Sequence, residues 1–217
     1  MIKRFNSAIT VTTLDLLRHG ECEGGHCYRG SIDVALLATG KQQMASSLSI
    51  LPAQWQRIIS SPLQRCAVFA KELSTELKTP LTIDDRIRET SFGAWEGQSI
   101  QRLWDTQQDA VEAWSMDPVN HPPPDGEAAD LFAARVVNAV EDCIHHYCGQ
   151  HLLMVTHGGV IRVLLAHCLN MSLSDLYRLD VPYACLSRVQ IINDAGQHFY
   201  QLKAHDLALT SRLSQPQ

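Results

Sequence analysis

Leu14-Asp15-Leu16-Leu17-Arg18-His19-Gly20-Glu21 places an arginine, a histidine and a glycine directly after a short, largely apolar run. Residues 14–17 are typical of a buried β-strand, so Arg18 and His19 leave its carboxyl end. In open α/β sheets, ligands bind at that end of the strands. An arginine beside a histidine, followed by a flexible glycine, therefore predicts a pocket for an anion with a nucleophile at its floor.

Two later segments repeat this arrangement at a strand end. Val155-Thr156-His157-Gly158-Gly159 closes a second apolar strand, and Ser60-Ser61-Pro62-Leu63-Gln64-Arg65 closes a third. The serine and proline of Ser61-Pro62 predict the start of a helix that runs to about Leu77 and carries Arg65 in its first turn. Free backbone N–H groups and the helix dipole favour anions there. We therefore expect two histidines and two arginines to converge on one phosphate.

The order of strands and helices predicts the fold class. Strands that alternate with helices indicate an α/β protein with three α/β/α layers, a mainly parallel sheet and helices on both faces. We expect Val68 and Leu131 in the apolar stripes of their helices, and one domain over residues 1–217 with a small cap insertion at roughly 89–126. The predicted strands are 13–17, 57–60, 81–83 and 151–156, followed by an antiparallel pair at 184–192 and 198–204. The predicted helices are 41–51, 61–77, 100–107, 110–115, 127–147, 160–168 and 173–179.

Composition limits the classes of function. The 217 residues are 45% hydrophobic with a formal net charge of −5, which suits a globular domain and argues against nucleic acid or an anionic membrane as a partner. No apolar run approaches the length of a membrane helix and the N-terminus lacks a signal-peptide core, so we expect a cytoplasmic protein. Seven cysteines without regular spacing favour reduced thiols over a disulfide framework.

At the level of whole motifs, the chain resembles the histidine phosphatase superfamily of phosphoglycerate mutases and acid phosphatases. The resemblance rests on the three strand-end segments above, on Arg88-Glu89-Thr90-Ser91-Phe92-Gly93-Ala94-Trp95-Glu96-Gly97 and on Gly126-Glu127, in the family's order. One such piece is a weak signal, but five in order over most of the chain are specific. The resemblance implies a phosphoglycerate mutase-like fold.

The resemblance also implies a role for each matched residue. His19 would be the nucleophile that takes the phosphoryl group, and Glu89 would be the general acid for the leaving oxygen. Glu21 and Glu96 lie near the same motifs, so a surface salt bridge stays open as an alternative for Glu89. Two arginines can supply the charge that phosphoryl transfer needs, so we expect neither a metal nor a cofactor. The residues that would hold the phosphate are Arg18, Arg65, His157 and Gly158.

The loop after the first motif both departs from the family and points to one branch of it. Cys22 stands where relatives often have threonine and Gly25 where they often have asparagine, side chains that usually line the phosphate pocket. Tyr28 and Arg29, with residues 33–36, resemble the substrate loop of α-ribazole-5′-phosphate phosphatases, which are enzymes of late cobalamin biosynthesis. The implied partner is a small-molecule phosphate ester, with α-ribazole 5′-phosphate as the most specific expectation.

Several alternatives stay open. Phosphoglycerate mutases and broad sugar-phosphate phosphatases use the same residues, and a non-catalytic phosphate-binding protein belongs to a different class. The oligomeric state is open too, with a homodimer compatible with the sequence. A zinc site is a further alternative to the phosphate site, although the spacing of its five candidate ligands suits zinc poorly. Those candidates are Cys143, His145, His146, Cys148 and His151.

Overall fold

One six-stranded sheet organises the protein, whose computed structural model describes residues 9–52 and 54–207. Its strands are β1 (Thr10–Arg18), β2 (Arg57–Ser60), β3 (Leu81–Ile83), β4 (His151–Thr156), β5 (Leu186–Asp194) and β6 (Gln197–Ala204). The strand order is β3-β2-β4-β1-β5-β6. The first four of these strands pair in parallel, whereas β5 runs antiparallel to both β1 and β6. The mainly parallel sheet and its antiparallel edge pair are therefore confirmed.

Helices cover both faces of this sheet. The α-helices are α1 (Ala38–Leu48), α2 (Gln64–Leu77), α3 (Ile100–Met116), α4 (Ala129–His146) and α5 (Gly158–Cys168), and short 3-10 helices span Asp85–Ile87, Gly93–Trp95 and Leu173–Arg178. Buried residues of α1 and α2 form one core with the sheet, and those of α4 and α5 form a second core with its other face. The three-layer α/β/α prediction is thus confirmed. Over the described residues, no helix is long and apolar enough to cross a membrane.

The central strand β1 shows why the sequence folds into three layers. Successive side chains of a strand point to opposite faces. Leu14 and Leu16 pack into the core with α4 and α5, whereas Leu17 packs into the core with α1 and α2. Leu16 and Leu17 have no exposed surface, and burial of each stabilises the fold by roughly 1.5–3 kcal/mol. A continuous apolar run therefore marks a strand that is covered on both sides.

The start of α2 corrects the prediction of a helix from Ser61. The helix begins at Gln64, and Leu63 precedes it without a side-chain cap. Ser61 accepts a hydrogen bond from the Leu63 amide at 3.3 Å, but its Oγ also lies 2.7 Å from Nε2 of His157. The Ser61 side chain therefore contacts His157 and does not cap the helix. The other predicted elements have observed boundaries within three residues.

Two predicted stripe residues face solvent. Val68 is 52% exposed and Leu131 is 65% exposed. In α4 the buried positions include Phe132, Val136 and Val140, which follow one another at four-residue spacing. Leu131 is five residues before Val136, about 140° around a helix of 3.6 residues per turn, so it cannot share that face. These two predictions were wrong because Val68 and Leu131 lie on a different side of their helices from the residues with which they were grouped.

The segment between β3 and α4 has a small core of its own. Its buried residues are Trp95, Leu103, Val111 and Trp114. The segment contains α3, in which Gln107 has non-helical backbone angles (φ −141°, ψ 36°). Two helical pieces were expected there, and the break at Gln107 separates them. The description of residues 89–126 as a cap insertion within a single domain stays a prediction.

Candidate active site

The carboxyl ends of β1, β2 and β4 meet at a cavity of about 520 Å³. In the parallel register Arg18 lies beside Thr156, and Ser60 beside Val155, so the residues that follow the three strands share one edge. The fully buried His157 does not line the cavity but contacts His19, with ring centroids 5.3 Å apart. The other predicted site residues all line it: Arg18, His19, Tyr28, Arg29, Arg65, Glu89 and Gly158.

His19 is held as a neutral imidazole with one free nitrogen. Its Nδ1 lies 2.8 Å from the carbonyl oxygen of Gly20. Because a carbonyl only accepts hydrogen bonds, Nδ1 carries the proton and Nε2 keeps its lone pair. Burial, followed by the positive charges of Arg18 and Arg65, lowers the pKa of His19 well below its usual value of 6.5. A neutral imidazole with an exposed lone pair can act as a nucleophile.

Two arginines present positive charge beside that histidine. Arg65 is buried, and its two Nη atoms donate to the carbonyl oxygens of Gly30 (2.8 Å) and Ile32 (2.7 Å). Arg18 donates through Nη1 to a backbone carbonyl and stacks on the Tyr183 ring at 4.4 Å. The buried Nε atoms of both arginines have no hydrogen-bond partner among the described residues. Buried donors without a partner are rare, so the pair suits an anionic ligand.

Of the three glutamates Glu21, Glu89 and Glu96, Glu89 is the one that lines the cavity. Its Oε2 accepts a hydrogen bond from the Gly159 amide and its Oε1 from the Thr90 amide, both at 3.1 Å. A Cβ atom at position 159 would lie 2.3 Å from Oε1, so glycine is required for this approach. The two rival glutamates are used elsewhere: Glu96 binds the amides of Ser31 and Phe92, and Glu21 accepts from Thr39.

His157 is fixed by a serine that sequence reasoning had placed in a helix cap. Its Nε2 lies 2.7 Å from Oγ of Ser61, and both residues are fully buried. Burial and then the charge of Arg65 lower the pKa of His157 well below 6.5. One sequence signal could have placed Ser61 in the site. Like His19 and His157, it directly follows the end of a strand.

The loop that follows the first motif packs against His19. Cys22 is buried, with Sγ 3.4 Å from Nδ1 of His19 and 3.3 Å from the Gly20 carbonyl oxygen. Burial raises the pKa of this thiol, so it stays protonated. Arg29 donates to the carbonyl oxygens of Glu23 and Gly25 and to the hydroxyl of Tyr183. The predicted substrate-loop arginine therefore also shapes the loop.

Aromatic rings form one wall of the cavity. Tyr28 contacts Phe92 and Trp114, with ring centroids 5.0 and 5.4 Å apart, and Trp114 contacts Tyr177 at 4.6 Å. Tyr183 lies 5.7 Å from the ring of His19. Sequence motifs contained Tyr28 and Phe92, whereas Tyr177 and Tyr183 come from the chain after α5, where no motif marks them.

The rival zinc segment does not form a cluster. Cys143 is buried within α4, whereas Cys148 is exposed beyond the helix end. His151 instead pairs with Asp15 at 2.8 Å. Throughout the described ranges, no group of three or more histidine, cysteine, aspartate or glutamate side chains could hold a metal ion.

Family comparison agrees with this geometry. A family model described as "Histidine phosphatase superfamily (branch 1)" matches residues 14–201. The match covers well over half of the chain, and it spans the segments that supply His19, Arg65, Glu89 and His157. The protein belongs to the histidine phosphatase superfamily.

Individual relatives are phosphatases. An adenosylcobalamin/alpha-ribazole phosphatase of Salmonella typhimurium is 30% identical over 81% of this chain and 89% of that protein. The alpha-ribazole phosphatase of Shigella flexneri superposes with a TM-score of 0.75 at 25% identity, covering 89% of this chain and 96% of that one. A mycobacterial glucosyl-3-phosphoglycerate phosphatase superposes with a TM-score of 0.80 at 25% identity, covering 90% of this chain and 99% of that one. This protein is therefore a phosphatase enzyme. The chain spans about half (52%) of a longer Mycobacterium tuberculosis relative named as a bifunctional protein.

Proposed function

We propose that this enzyme is a metal-independent phosphomonoesterase that works through a phosphohistidine on His19. The observation that carries the proposal is the Nδ1 hydrogen bond to Gly20, which leaves Nε2 unprotonated in a cavity flanked by two arginines. Nε2 attacks phosphorus, the new N–P bond forms, and the ester P–O bond breaks. The leaving oxygen takes a proton from Glu89, so the alcohol departs neutral.

The second half of the cycle reverses these roles. Glu89, now a carboxylate, accepts a proton from water as the water oxygen attacks phospho-His19. The N–P bond breaks, Nε2 regains its lone pair, and orthophosphate leaves. Arg18 and Arg65 balance the charge on the phosphoryl oxygens in both steps, since phosphoryl transfer depends mainly on positioning and electrostatic stabilisation. In this proposal the Gly158 amide also holds the phosphoryl group, whereas the fully buried His157 lies outside the cavity lining and contacts the ring of His19.

For the substrate we propose α-ribazole 5′-phosphate, which would place the enzyme in cobalamin biosynthesis. Two observations support this choice: relatives with that named activity, and an aromatic wall that suits a ring-bearing leaving group. Tyr28 lies in that wall and Arg29 beside it. The proposal includes a cytoplasmic location and leaves a monomer or a homodimer open.

One variant tests the mechanism directly. His19→Ala should lower turnover of 4-nitrophenyl phosphate by at least about 10⁴-fold, because it removes the ring nitrogen that forms the covalent intermediate. Adding a chelator to the wild-type enzyme should change nothing. Full activity of the variant would overturn the mechanism. Activity that a chelator removes would overturn its metal independence.

Competing functions give different products. A mutase would convert 3-phosphoglycerate to its isomer when primed with a bisphosphate, whereas a phosphatase releases inorganic phosphate. A non-catalytic binding protein would bind phosphate without forming a phosphorylated protein from any ester. A panel that includes α-ribazole 5′-phosphate and sugar phosphates, scored by kcat/KM, separates the specific phosphatase from a broad one.

A further inference from the structure

The proposed general acid stands on a segment that has no regular secondary structure of its own. Glu89 follows the 3-10 helix Asp85–Ile87 and precedes the 3-10 helix Gly93–Trp95. Carbonyl oxygens in such a segment have no partner in a helix or sheet, yet buried ones need a hydrogen bond. A proton donor must also lie within reach of the leaving oxygen, because misplacement by about 1 Å can cost about 100-fold in rate. The groups that hold these carbonyls therefore set the position of Glu89.

One arginine of α4, Arg135, supplies most of the donors that this segment needs. Its Nη1 donates to the carbonyl oxygens of Arg86 at 2.7 Å and Arg88 at 2.8 Å. Its Nη2 donates to the carbonyl oxygen of Glu89 itself at 3.1 Å. The remaining carbonyl, on Ile87, accepts a hydrogen bond from a threonine hydroxyl of β4 at 2.8 Å. A single side chain thus holds three of the four carbonyls from 86 to 89.

A glutamate fixes the orientation of Arg135. Nε and Nη2 of Arg135 donate to the two carboxylate oxygens of Glu127 at 2.6 and 2.7 Å, and this bidentate pairing sets the plane of the guanidinium. The two side chains are only 19% and 22% exposed. The backbone amide of Glu127 also donates to the carbonyl oxygen of Ser91 at 2.9 Å. The Arg135–Glu127 pair therefore holds the chain on both sides of Glu89.

Arg135 stands behind the wall of the cavity. It is not among the residues that line the cavity, whereas Glu89, Glu127 and Phe132 are. Its guanidinium lies over the Phe132 ring at 4.8 Å, and that ring lies beside Gly159, whose amide donates to Glu89 at 3.1 Å. Arg135 therefore contacts the surroundings of the proposed acid, and any effect that it has on the reaction must act through them.

The pairing of Arg135 with Glu127 also suits a neighbouring proton donor. An unpaired cation near a carboxylic acid favours the ionised form of that acid, which has no proton to give. Glu127 balances the charge of Arg135 at contact distance. The guanidinium can therefore offer its donors to the segment without adding net charge beside Glu89.

We infer that Arg135 is a positioning residue for the proposed general acid: it holds the backbone of residues 86–89 so that the Glu89 carboxyl can give its proton to the leaving oxygen. This inference rests on the proposed role of Glu89 and deepens it, since it names a group outside the cavity on which that role depends. Arg135 itself makes and breaks no bond in the reaction. Its loss should therefore affect each substrate according to how much the leaving oxygen needs a proton.

The test uses two aryl esters that differ in how much they need that proton. 4-Nitrophenolate is a weak base that departs readily without one, whereas the phenolate of phenyl phosphate is a stronger base and gains more from protonation. For Arg135→Gln, the ratio of kcat/KM for 4-nitrophenyl phosphate to that for phenyl phosphate should rise about 10- to 100-fold. Arg135→Lys should raise the ratio less, because it keeps the charge beside Glu127 but presents a single nitrogen.

The matched control is Arg188→Gln. Arg188 is similarly buried, at 24% exposed against 19% for Arg135, and it holds Asp15 through Nε and Nη2 at 2.7 and 2.8 Å. This variant should lose stability but keep the wild-type ratio. An equal rise in both variants would overturn the inference, because lower stability alone would then change the ratio. A proportional loss with both esters in Arg135→Gln would overturn it too. If Arg135→Gln does not fold, an unchanged ratio in Arg135→Lys overturns the inference.

A Glu89→Gln background separates this inference from the proposed mechanism. Glu89→Gln alone should raise the ratio by at least about 100-fold, and adding Arg135→Lys should raise it no further. If Glu89→Gln leaves the ratio unchanged, the proposed role of Glu89 fails. If Glu89→Gln raises the ratio while both Arg135 variants keep the wild-type value, the mechanism stands and the Arg135 inference fails. A further rise in the double variant would also overturn the inference, because Arg135 would then act through another group.

Discussion

Two polar clusters lie only four residues apart, one around Asp15 on β1 and one around His19 directly after it, and they are built in opposite ways. Around Asp15, both carboxylate oxygens are matched: they accept hydrogen bonds from Trp55 (2.7 Å), His151 (2.8 Å) and Arg188 (2.7 and 2.8 Å). Around His19, the buried Nε atoms of Arg18 and Arg65 have no hydrogen-bond partner among the residues that the structure describes. We call these the Asp15 cluster and the His19 cluster.

The difference shows what each cluster is for. A buried donor or acceptor without a partner costs about 1–3 kcal/mol. The Asp15 cluster avoids that cost and joins β1, β4 and β5 across the sheet. The His19 cluster keeps two unmatched buried donors on Arg18 and Arg65, two residues that line the cavity. One cluster therefore supports the fold, and the other holds binding capacity at some expense to stability.

Asp15→Ala should give the largest effect, a loss of about 3 kcal/mol in the free energy of unfolding, because the half-buried Arg188 and the buried indole N–H of Trp55 lose their shared acceptor. Urea denaturation measures it. The control is Asp142→Ala, which breaks an exposed pair with Arg86 (2.6 Å) and should cost less than about 1 kcal/mol. Equal losses in the two variants would mean that the Asp15 cluster does not carry the fold.

Inorganic phosphate should stabilise the protein through the His19 cluster. At a phosphate concentration one hundred times its Kd, the free energy of unfolding should rise by about 2.7 kcal/mol, since ligand binds only the folded state. Thermal or urea unfolding with and without phosphate measures the gain. Arg18→Met should lose most of it, while Asp15→Asn should keep it. Undiminished stabilisation of Arg18→Met would place phosphate elsewhere.

Acid should destabilise the two clusters in separate pH ranges. The folded-state pKa values of His19 and His157 lie below 6.5, so the unfolded chain binds more protons and stability falls as the pH drops below about 6.5. The slope is at most about 1.4 kcal/mol per pH unit for each histidine. Burial opposes the shift of Asp15, but hydrogen bonds led by Arg188 outweigh it and lower its pKa below 3.8, so its contribution is lost at still lower pH.

Variants should separate these two ranges. His19→Asn should flatten the pH dependence of unfolding just below pH 6.5, and Asp15→Asn should flatten it below about pH 4. Urea midpoints collected across pH measure both. A wild-type protein whose stability does not change between pH 7 and about 5 would contradict the neutral state of the buried histidines.

Ser61→Ala should have the smallest effect. Removing the hydroxyl beside His157 should lower kcat/KM by about tenfold or less, the value of one hydrogen bond of about 1 kcal/mol. Ser61→Thr, which keeps the hydroxyl, should recover part of the activity. If Ser61→Ala changes only the unfolding free energy and leaves the pH profile of kcat/KM intact, the serine is structural and does not position the histidine.

Sequence patterns predicted most of the fold because the required signals are local. These signals are the apolar run at 14–17, the glycines after His19 and His157, and the long apolar pattern of α4. Each can be recognised from residues that are close together in the sequence. Helix starts and surface positions were less predictable. Ser61 has the residue type of a cap, yet a buried histidine 96 residues away holds its hydroxyl. A rule that considers only neighbouring residues in the sequence cannot predict that contact.

The sequence by itself determined the layer order, the strand ends and the residue types that meet there: two histidines, two arginines and a glutamate in separate motifs. Only the tertiary structure decided which charges are matched and which are not. It buried Asp15 against Arg188, freed Nε2 of His19, and brought Arg135 of α4 against the segment that carries Glu89. The reason is physical: strand and helix formation depend on neighbours in the chain, whereas charge pairing and solvent exclusion depend on neighbours in space.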